Sequence, residues 1–363
     1  MKALVLHAAR DARIEERPEP AAPGPYDVRL AVVRAGLCGT DATEFAAGPV
    51  MTPLTTRHPA SGVRGPIVLG HEFIGVVEEV GSAVDRFAVG NRVAAGAGVW
   101  CGRCDWCRRG QTNLCASYWT FGLSADGGLT ERITVPAAML HPIAPHVTDD
   151  NAALAQPLAV GLHAVARGGV RQGDVVVVHG TGAIGSLIVA GAAAAGAAAI
   201  VAVDVDPDRL KVATRLGATH TVDARDADPL DTVRELSGAA LADVTVESTG
   251  LADGMSRVQR LTRRGGTVLL VGLPKEEVSF HAVDLILREI EVVTTVAHVC
   301  DVNLPAALAL LARRDLAGLL VEKVVPLERA VPDALVPMAE GSARGKLLVD
   351  TRGSGMSPEC NER

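Results

Sequence analysis

The chain has 363 residues, 48% hydrophobic and 21% charged, and a net charge of −7. That length exceeds what one core usually fills, so two domains are expected, and the apolar share excludes general disorder. The acidic balance disfavours nucleic-acid binding, and seven cysteines, sparse and odd in number, exclude a disulfide scaffold and point to metal or catalytic use in a reducing compartment.

Along the N-terminal part, short strands alternate with Gly and Pro turns. Lys2–Leu6, Val28–Val33, Ile74–Val80 and Arg92–Ala95 read as strands, with turns at Pro23-Gly24-Pro25 and Gly81-Ser82. An antiparallel, barrel-like domain is expected. Pro49–Pro66, rich in Pro, Thr and Gly, reads as a long loop, inert or bordering a substrate site. Met1 to His7 lacks the long apolar core and cleavage site of a signal peptide, so a cytoplasmic protein is expected.

Cys101, Cys104, Cys107 and Cys115 follow with the spacing C-x2-C-x2-C-x7-C. Short C-x2-C turns aim two sulfurs at one point, and four such thiolates close a tetrahedron around zinc. A ferredoxin-type cluster places its fourth cysteine three residues on and follows it with Pro, whereas Ala116 follows Cys115 here. Arg103, Arg108 and Arg109 belong to no wider basic face, which disfavours a nucleic-acid-binding zinc module. A closed four-sulfur site has no open position for chemistry, so this zinc is read as structural.

From about Gly173 the rhythm changes. Val175 to Val203 contains no Asp, Glu, Lys or Arg, but Gly180, Gly182, Gly185, Gly191 and Gly196 interrupt it. It therefore reads as strand, turn, helix and strand rather than a membrane span. The expected elements are strand Val175–Val178, a helix from Ile184 to about Ala195, strand Ile200–Val203 and helix Pro207–Leu216, capped by Asp206. Strands Val244–Glu247, Thr267–Val271 and Glu291–Thr295 follow, with helices between. Apolar strands alternating with helices mean a doubly wound parallel sheet covered on both faces. A helix over Leu304–Arg313 and short strands to Asp350 complete the fold, and Thr351–Arg363 reads as a polar tail.

The loop Gly180-Thr181-Gly182-Ala183-Ile184-Gly185 contains G-x-G-x-x-G between a buried strand and a helix, the context that gives the motif meaning. The first glycine permits the turn, the second admits a pyrophosphate, and the third packs helix on strand. Asp204, nineteen residues after Gly185, can accept from ribose hydroxyls and repel a 2′-phosphate. Val205 after it is no phosphate partner, so NAD is expected over NADP. Ala183, Ile184 and Arg209 are counted with the cofactor-binding residues.

Three further features are Cys38-Gly39-Thr40-Asp41, Gly70-His71-Glu72 and Gln156-Pro157-Leu158. With the cysteine cluster and the dinucleotide loop, they make the chain resemble the zinc-dependent medium-chain alcohol dehydrogenases over about residues 1 to 350, nearest the polyol, threonine and sugar dehydrogenase branch. The resemblance implies a GroES-like β-barrel catalytic domain over 1–157, with a zinc lobe at about 96–120. It places a Rossmann NAD-binding domain over 158–297 and a return to the first domain over 298–350, leaving 351–363 as tail. It implies catalytic zinc on Cys38 and His71, with Glu72 as ligand or close neighbour and Gln156 binding directly or through water. Asp41 would orient His71, and Thr40 would take the substrate proton. Cys101, Cys104, Cys107 and Cys115 would hold the structural zinc, giving two zinc ions per chain.

Two departures stand out. Many relatives carry glutamate at Gln156, and several have a relay histidine where this chain has Thr43. His58 is read as exposed and His163 as a packing residue at a helix start. Cys300 reads as buried and Cys360 as part of the tail, both without metal-type neighbours. The expected activity is hydride transfer from a secondary alcohol of a polyol, sugar, cyclitol or amino alcohol to NAD. The alternatives are a broad-range alcohol dehydrogenase or carbonyl reductase, and a non-catalytic NAD-binding protein of the same fold. A small alcohol or ketone as substrate, a homo-oligomer (dimer or tetramer), and no nucleic-acid or membrane partner are expected.

Overall fold

The structure, a computed structural model, describes residues 1–238 and 240–352; Cys360 and most of the expected tail lie outside them. Two compact units are present. One comprises Met1–Gln156 and the chain from Val299 onward, the other Pro157–His298.

In the first unit, β1 (Lys2–Ala8) pairs antiparallel with β2 (Asp11–Glu16). The hub is β3 (Asp27–Gly36), where buried Val28, Leu30 and Val32 alternate with less buried Arg29 and Ala31, the period of a strand with one face on a core. After α1 (Gly39–Ala47) and β4 (Ile67–Val68), β5 (Glu72–Val80) lies antiparallel on β3, with Gly36 opposite Glu72. β6 (Arg92–Ala95) continues this sheet beyond β5. The cysteine lobe holds β7 (Gly98–Val99), the single-turn α2 (Asp105–Arg108) and β8 (Trp119–Thr120), with β7 paired to β8. β9 (Arg132–Pro136) joins β3, and β10 (Leu140–Pro142) edges β6. Then come α3 (Asp149–Ala152) and α4 (Ala155–Arg167), whose first two residues end this part of the unit.

The second unit alternates β11 (Val175–His179), α5 (Ala183–Ala194), β12 (Ala199–Asp204), α6 (Pro207–Leu216), β13 (His220–Asp223) and α7 (Pro229–Ser237). It continues with β14 (Ala242–Glu247), α8 (Gly254–Gln259), β15 (Thr262–Leu270), α9 (Ala282–Arg288) and β16 (Glu291–Thr294). All six strands are parallel, in the order β13-β12-β11-β14-β15-β16. The winding reverses between β11 and β14, where such sheets open a ligand crevice at the strands' C-terminal ends. Val176, Val177 and Val178 are fully buried, each contributing roughly 1.5–3 kcal/mol by leaving water. Asp206 caps α6 by accepting from the N–H groups of Asp208 and Arg209, as its place before Pro207 predicts.

The chain re-enters the first unit through α10 (Cys300–Leu311), α11 (Ala317–Leu320), β17 (Val321–Pro326), α12 (Val336–Ala339) and β18 (Lys346–Asp350). α10 starts four residues before the expected Leu304. β18 lies antiparallel on β3 and parallel to β17, so the sheet is mixed rather than wholly antiparallel. His163 sits in the body of α4, buried, rather than at a helix start. No helix among the described residues is long and apolar enough to cross a membrane.

Candidate functional site

The β3–β5 ladder ends at the pair Gly36–Glu72, so Cys38, just past β3, and His71, just before β5, emerge at the same end of the sheet. Cys38 is the N-cap of α1, and its backbone N–H donates to Asp41 Oδ2 at 2.8 Å. This explains the C-x-x-D spacing: a carboxylate three residues after the cap reaches back to it. The other Asp41 oxygen, Oδ1, lies 3.6 Å from His71 Nδ1. Both atoms are buried without a hydrogen-bond partner. Burial lowers the pKa of His71, but the Asp41 carboxylate and Cys38 beside it raise the pKa well above 6.5.

The ligand atoms of Cys38, His71 and Glu72 all lie within 4.8 Å of one another. Sulfur, imidazole nitrogen and carboxylate oxygen form a zinc-type donor set, and two facing buried atoms in need of order beside them fit a resident ion. Glu72 is fully enclosed and paired with Lys346, which also donates to the Leu37 carbonyl at 2.8 Å. Lys346 was not anticipated as a site residue. A single lysine opening an apolar strand gives no signal of a partner 274 positions away, and only the β18–β3 pairing brings it there. Thr40 Oγ1 lies 3.7 Å from Cys38 Sγ. Gln156 is nearly buried at the start of α4.

Thr43 donates its hydroxyl to the Gly39 carbonyl at 3.0 Å, a bond within its own helix. The Pro49–Pro66 loop is anchored by buried Glu44, whose carboxylate accepts from Val50 N–H, Met51 N–H and the Thr52 hydroxyl. Three accepted bonds account for a fully buried carboxylate that the sequence reading passed over. His58 is half-buried, and its Nδ1 accepts from the Ala60 and Ser61 N–H groups, a turn-forming role.

In the lobe, the Cys101, Cys104, Cys107 and Cys115 sulfurs also lie within 4.8 Å of one another. Cys101 Sγ accepts from Cys104 N–H at 3.4 Å and Cys115 Sγ from Cys101 N–H at 3.2 Å. Backbone N–H groups draw the Cys104 thiol down to about 6, which favours the thiolate a metal needs. Burial pushes Cys107 up to about 12. Of the lobe's aromatics, Trp119 and Phe121 pack with ring centroids 4.8 Å apart, while Trp106 is exposed beneath the Arg109 guanidinium.

The glycine loop has the steric logic expected of it. Gly180 has φ +91°, and a Cβ there would meet Thr249 at 2.6 Å; a Cβ at Gly185 would overlap the Gly180 carbonyl. At Gly182 a Cβ meets nothing within 4 Å, so that face is an open cradle at the start of α5. Asp204, buried at the end of β12, accepts from Thr181 N–H (2.7 Å), Thr181 Oγ1 (3.0 Å), Val205 N–H (2.8 Å) and Asp206 N–H (3.0 Å). It therefore ties the loop down, whereas the cap of α6 is Asp206. Arg209 lies 3.9 Å from Asp206 on the same helix.

An open cavity of about 810 Å³ lies within this unit, lined among others by His179, Arg225, Asp253, Arg257 and Arg260. Each of its arginines is matched by a carboxylate: Arg225 with Asp223, Arg257 with Asp253 at 2.7 Å, and Arg260 with Asp228 at 2.6 Å. His179 is buried, and its Nδ1 has no hydrogen-bond partner. Burial lowers its pKa below 6.5. Neither the cavity nor the place of His179 in it was anticipated, because the lining comes from four separate strand–helix connections.

Cys300 corrects the sequence reading. It is buried as expected, but it does have metal-type neighbours, because His141 and Asp301 place their ligand atoms within 4.8 Å of its sulfur and of each other.

Residues 24–145 match the alcohol dehydrogenase GroES-like domain and residues 183–313 match the zinc-binding dehydrogenase family. Sorbitol dehydrogenase of Bacillus subtilis (strain 168) is 34% identical over 76% of either chain. L-idonate 5-dehydrogenase of Vitis vinifera is 35% identical over 74% of this chain and 73% of its own. The crystal structure of 2R,3R-butanediol dehydrogenase from Bacillus subtilis superimposes with a TM-score of 0.89 at 29% identity, covering 97% of this chain and 99% of that one.

Proposed function

The chain belongs to the zinc-dependent medium-chain alcohol dehydrogenases, in their polyol dehydrogenase branch, and from that premise we propose that it oxidises a secondary alcohol of a polyol, sugar, cyclitol or amino alcohol with NAD as acceptor. The observation that carries the reading is the convergence of half-buried Cys38 with buried His71 and Glu72 beside the partnerless pair Asp41 Oδ1 and His71 Nδ1. Zinc held there supplies a Lewis acid that acidifies the substrate hydroxyl, and NAD supplies the hydride acceptor.

The chain's own residues do the rest. Cys38 and His71 hold the ion, with Glu72 as third ligand or immediate neighbour and Gln156 binding directly or through water. With an ion bound, Asp41 would draw up to accept the His71 Nδ1 proton, leaving Nε2 free to ligate. Lys346 balances the Glu72 charge, limiting how much negative charge reaches the metal. Thr40 Oγ1 receives the hydroxyl proton and passes it outward. Thr43, tied to its helix backbone, takes the place of a titratable relay. Cys101, Cys104, Cys107 and Cys115 hold the second, structural zinc.

In the cofactor unit, Gly182 and the N-terminus of α5, with Ala183, Ile184 and Gly185, would receive the pyrophosphate, and Asp204 would accept from a ribose hydroxyl. The cavity beside His179 takes the adenosine. NAD is favoured because the Asp204 carboxylate at the end of β12 would repel a 2′-phosphate. Arg209, more loosely held, completes the cofactor contacts. A homo-oligomer is supported by exposed Val283, Ile286 and Leu287 on α9 beside the edge strand β16.

A screen of NAD⁺ and NADP⁺ reduction over polyols, cyclitols, sugars and amino alcohols tests the reading. Turnover with NAD⁺ on one of these classes is expected, and Cys38→Ala should remove one zinc and abolish it while leaving the circular dichroism unchanged. A Cys38→Ala protein with undiminished metal would overturn the catalytic assignment, and a higher kcat/KM with NADP⁺ would overturn the cofactor choice.

A further inference from the structure

We propose that His141, Cys300 and Asp301 form a third metal site, for zinc or a similar borderline divalent cation, joining β10 to the start of α10. The three ligand atoms lie within 4.8 Å of one another. His141 is held by the β10–β6 ladder, where it stands opposite Ala94, and Cys300 and Asp301 open α10. His141 Nε2 is buried with no hydrogen-bond partner, an unfavourable state unless something fills it. Its nearest acid, Asp301 Oδ1, is 3.8 Å away. That separation is too long for a hydrogen bond, but it is close to the spacing of two ligands each about 2.0–2.2 Å from one ion.

The donor set selects the ion. One thiolate, one imidazole and one carboxylate suit zinc, whereas calcium and magnesium take oxygen ligands. Three protein ligands leave a fourth position for water, reached past Asp301, whose side chain is 58% exposed. Binding displaces the Cys300 thiol proton, now directed at the Met139 carbonyl 3.6 Å away, into solvent; no electron moves. Burial holds that thiol up at about 12, so an ion entering the site must displace a held proton. The Arg86 guanidinium faces both His141 and Cys300 while bound to the Leu140 carbonyl and stacked over Phe87. Its charge lowers the pKa of both groups and also opposes an incoming cation. The ion would tie the chain's re-entry at Val299 to a barrel strand of the same unit, so its occupancy should stabilise that unit. None of this depends on the dehydrogenase reading.

The test is metal content by mass spectrometry after equilibration in micromolar zinc and desalting, with thermal midpoints measured alongside. Wild type should hold one ion more per chain than Cys300→Ser or His141→Ala, and added zinc should raise the midpoint of wild type alone. Should either core variant misfold, Asp301→Asn at the exposed ligand keeps the question open to measurement: it should fold normally and bind the extra ion about tenfold or more weakly. Equal metal content in wild type and Cys300→Ser, or zinc affinity unchanged by Asp301→Asn, would overturn the proposal.

Discussion

Asp41 divides one buried carboxylate between two duties, capping Cys38 with Oδ2 and facing His71 with Oδ1. Asparagine keeps the shape and can still cap through its carbonyl oxygen, but its amide then turns a donor toward the Nδ1 proton of His71. The expected result of Asp41→Asn is a loss of about 10–100-fold in zinc affinity or kcat/KM with a nearly unchanged thermal midpoint. Zinc titration and steady-state kinetics would check it, and wild-type values for both would refute the orienting role. Singly, C-x-x-D and G-H-E have bland meanings; they were legible together only through the resemblance to the dehydrogenase family, and the cap that explains the C-x-x-D spacing comes from the structure. Lys346 was not legible, because a buried ion pair between residues 72 and 346 leaves no periodic trace in either segment. Its partner is nonetheless held tightly, since removing one member of such a pair typically costs about 3–5 kcal/mol.

At the scale of elements, the glycine loop separates folding from binding within six residues. Gly185 is required by packing, since a side chain there overlaps the Gly180 carbonyl, whereas a Cβ at Gly182 meets only open space. Gly182→Val should therefore fold with a wild-type midpoint and bind NADH about tenfold or more weakly, as expected when charge-assisted bonds worth about 1.5–3 kcal/mol are blocked. NADH fluorescence titration decides this, and retained affinity would remove the pyrophosphate from that cradle. Elements with strong local signals were read closely: Arg92–Ala95 and Pro207–Leu216 match their strand and helix residue for residue. β13 was missed because Val222 is its single buried residue, too little for a pattern. The early start of α10 was missed because its first turn, through Asn303, carries little helical periodicity. That turn also holds Cys300 and Asp301.

For the whole molecule, the edge of the cofactor sheet leaves a face unfinished. Val283, Ile286 and Leu287 of α9 are 69–72% exposed, beside an edge strand whose Val292 is 42% exposed. A second copy of the chain is the expected cover, and Ile286→Glu should yield a smaller species than wild type in light scattering at equal concentration. An unchanged mass would move the oligomer contact elsewhere. The amphipathic pattern did not reveal this face, because apolar residues on a helix look the same whether they face a core or a partner. By itself, the sequence determined what rests on short-range chemistry: the two strand rhythms, the four-cysteine knuckle and the glycine turn, whereas the donors Cys38, His71 and Glu72 were implied by the family resemblance. Only the tertiary structure decided which distant groups meet. The β3 ladder and the returning β18 bring Cys38, His71, Glu72 and Lys346 to one sheet end. The return of α10 likewise sets Cys300 beside His141. The reason is physical: local motifs are fixed by bond geometry over a few residues, whereas long-range neighbours are fixed by strand order and register, which no short segment contains.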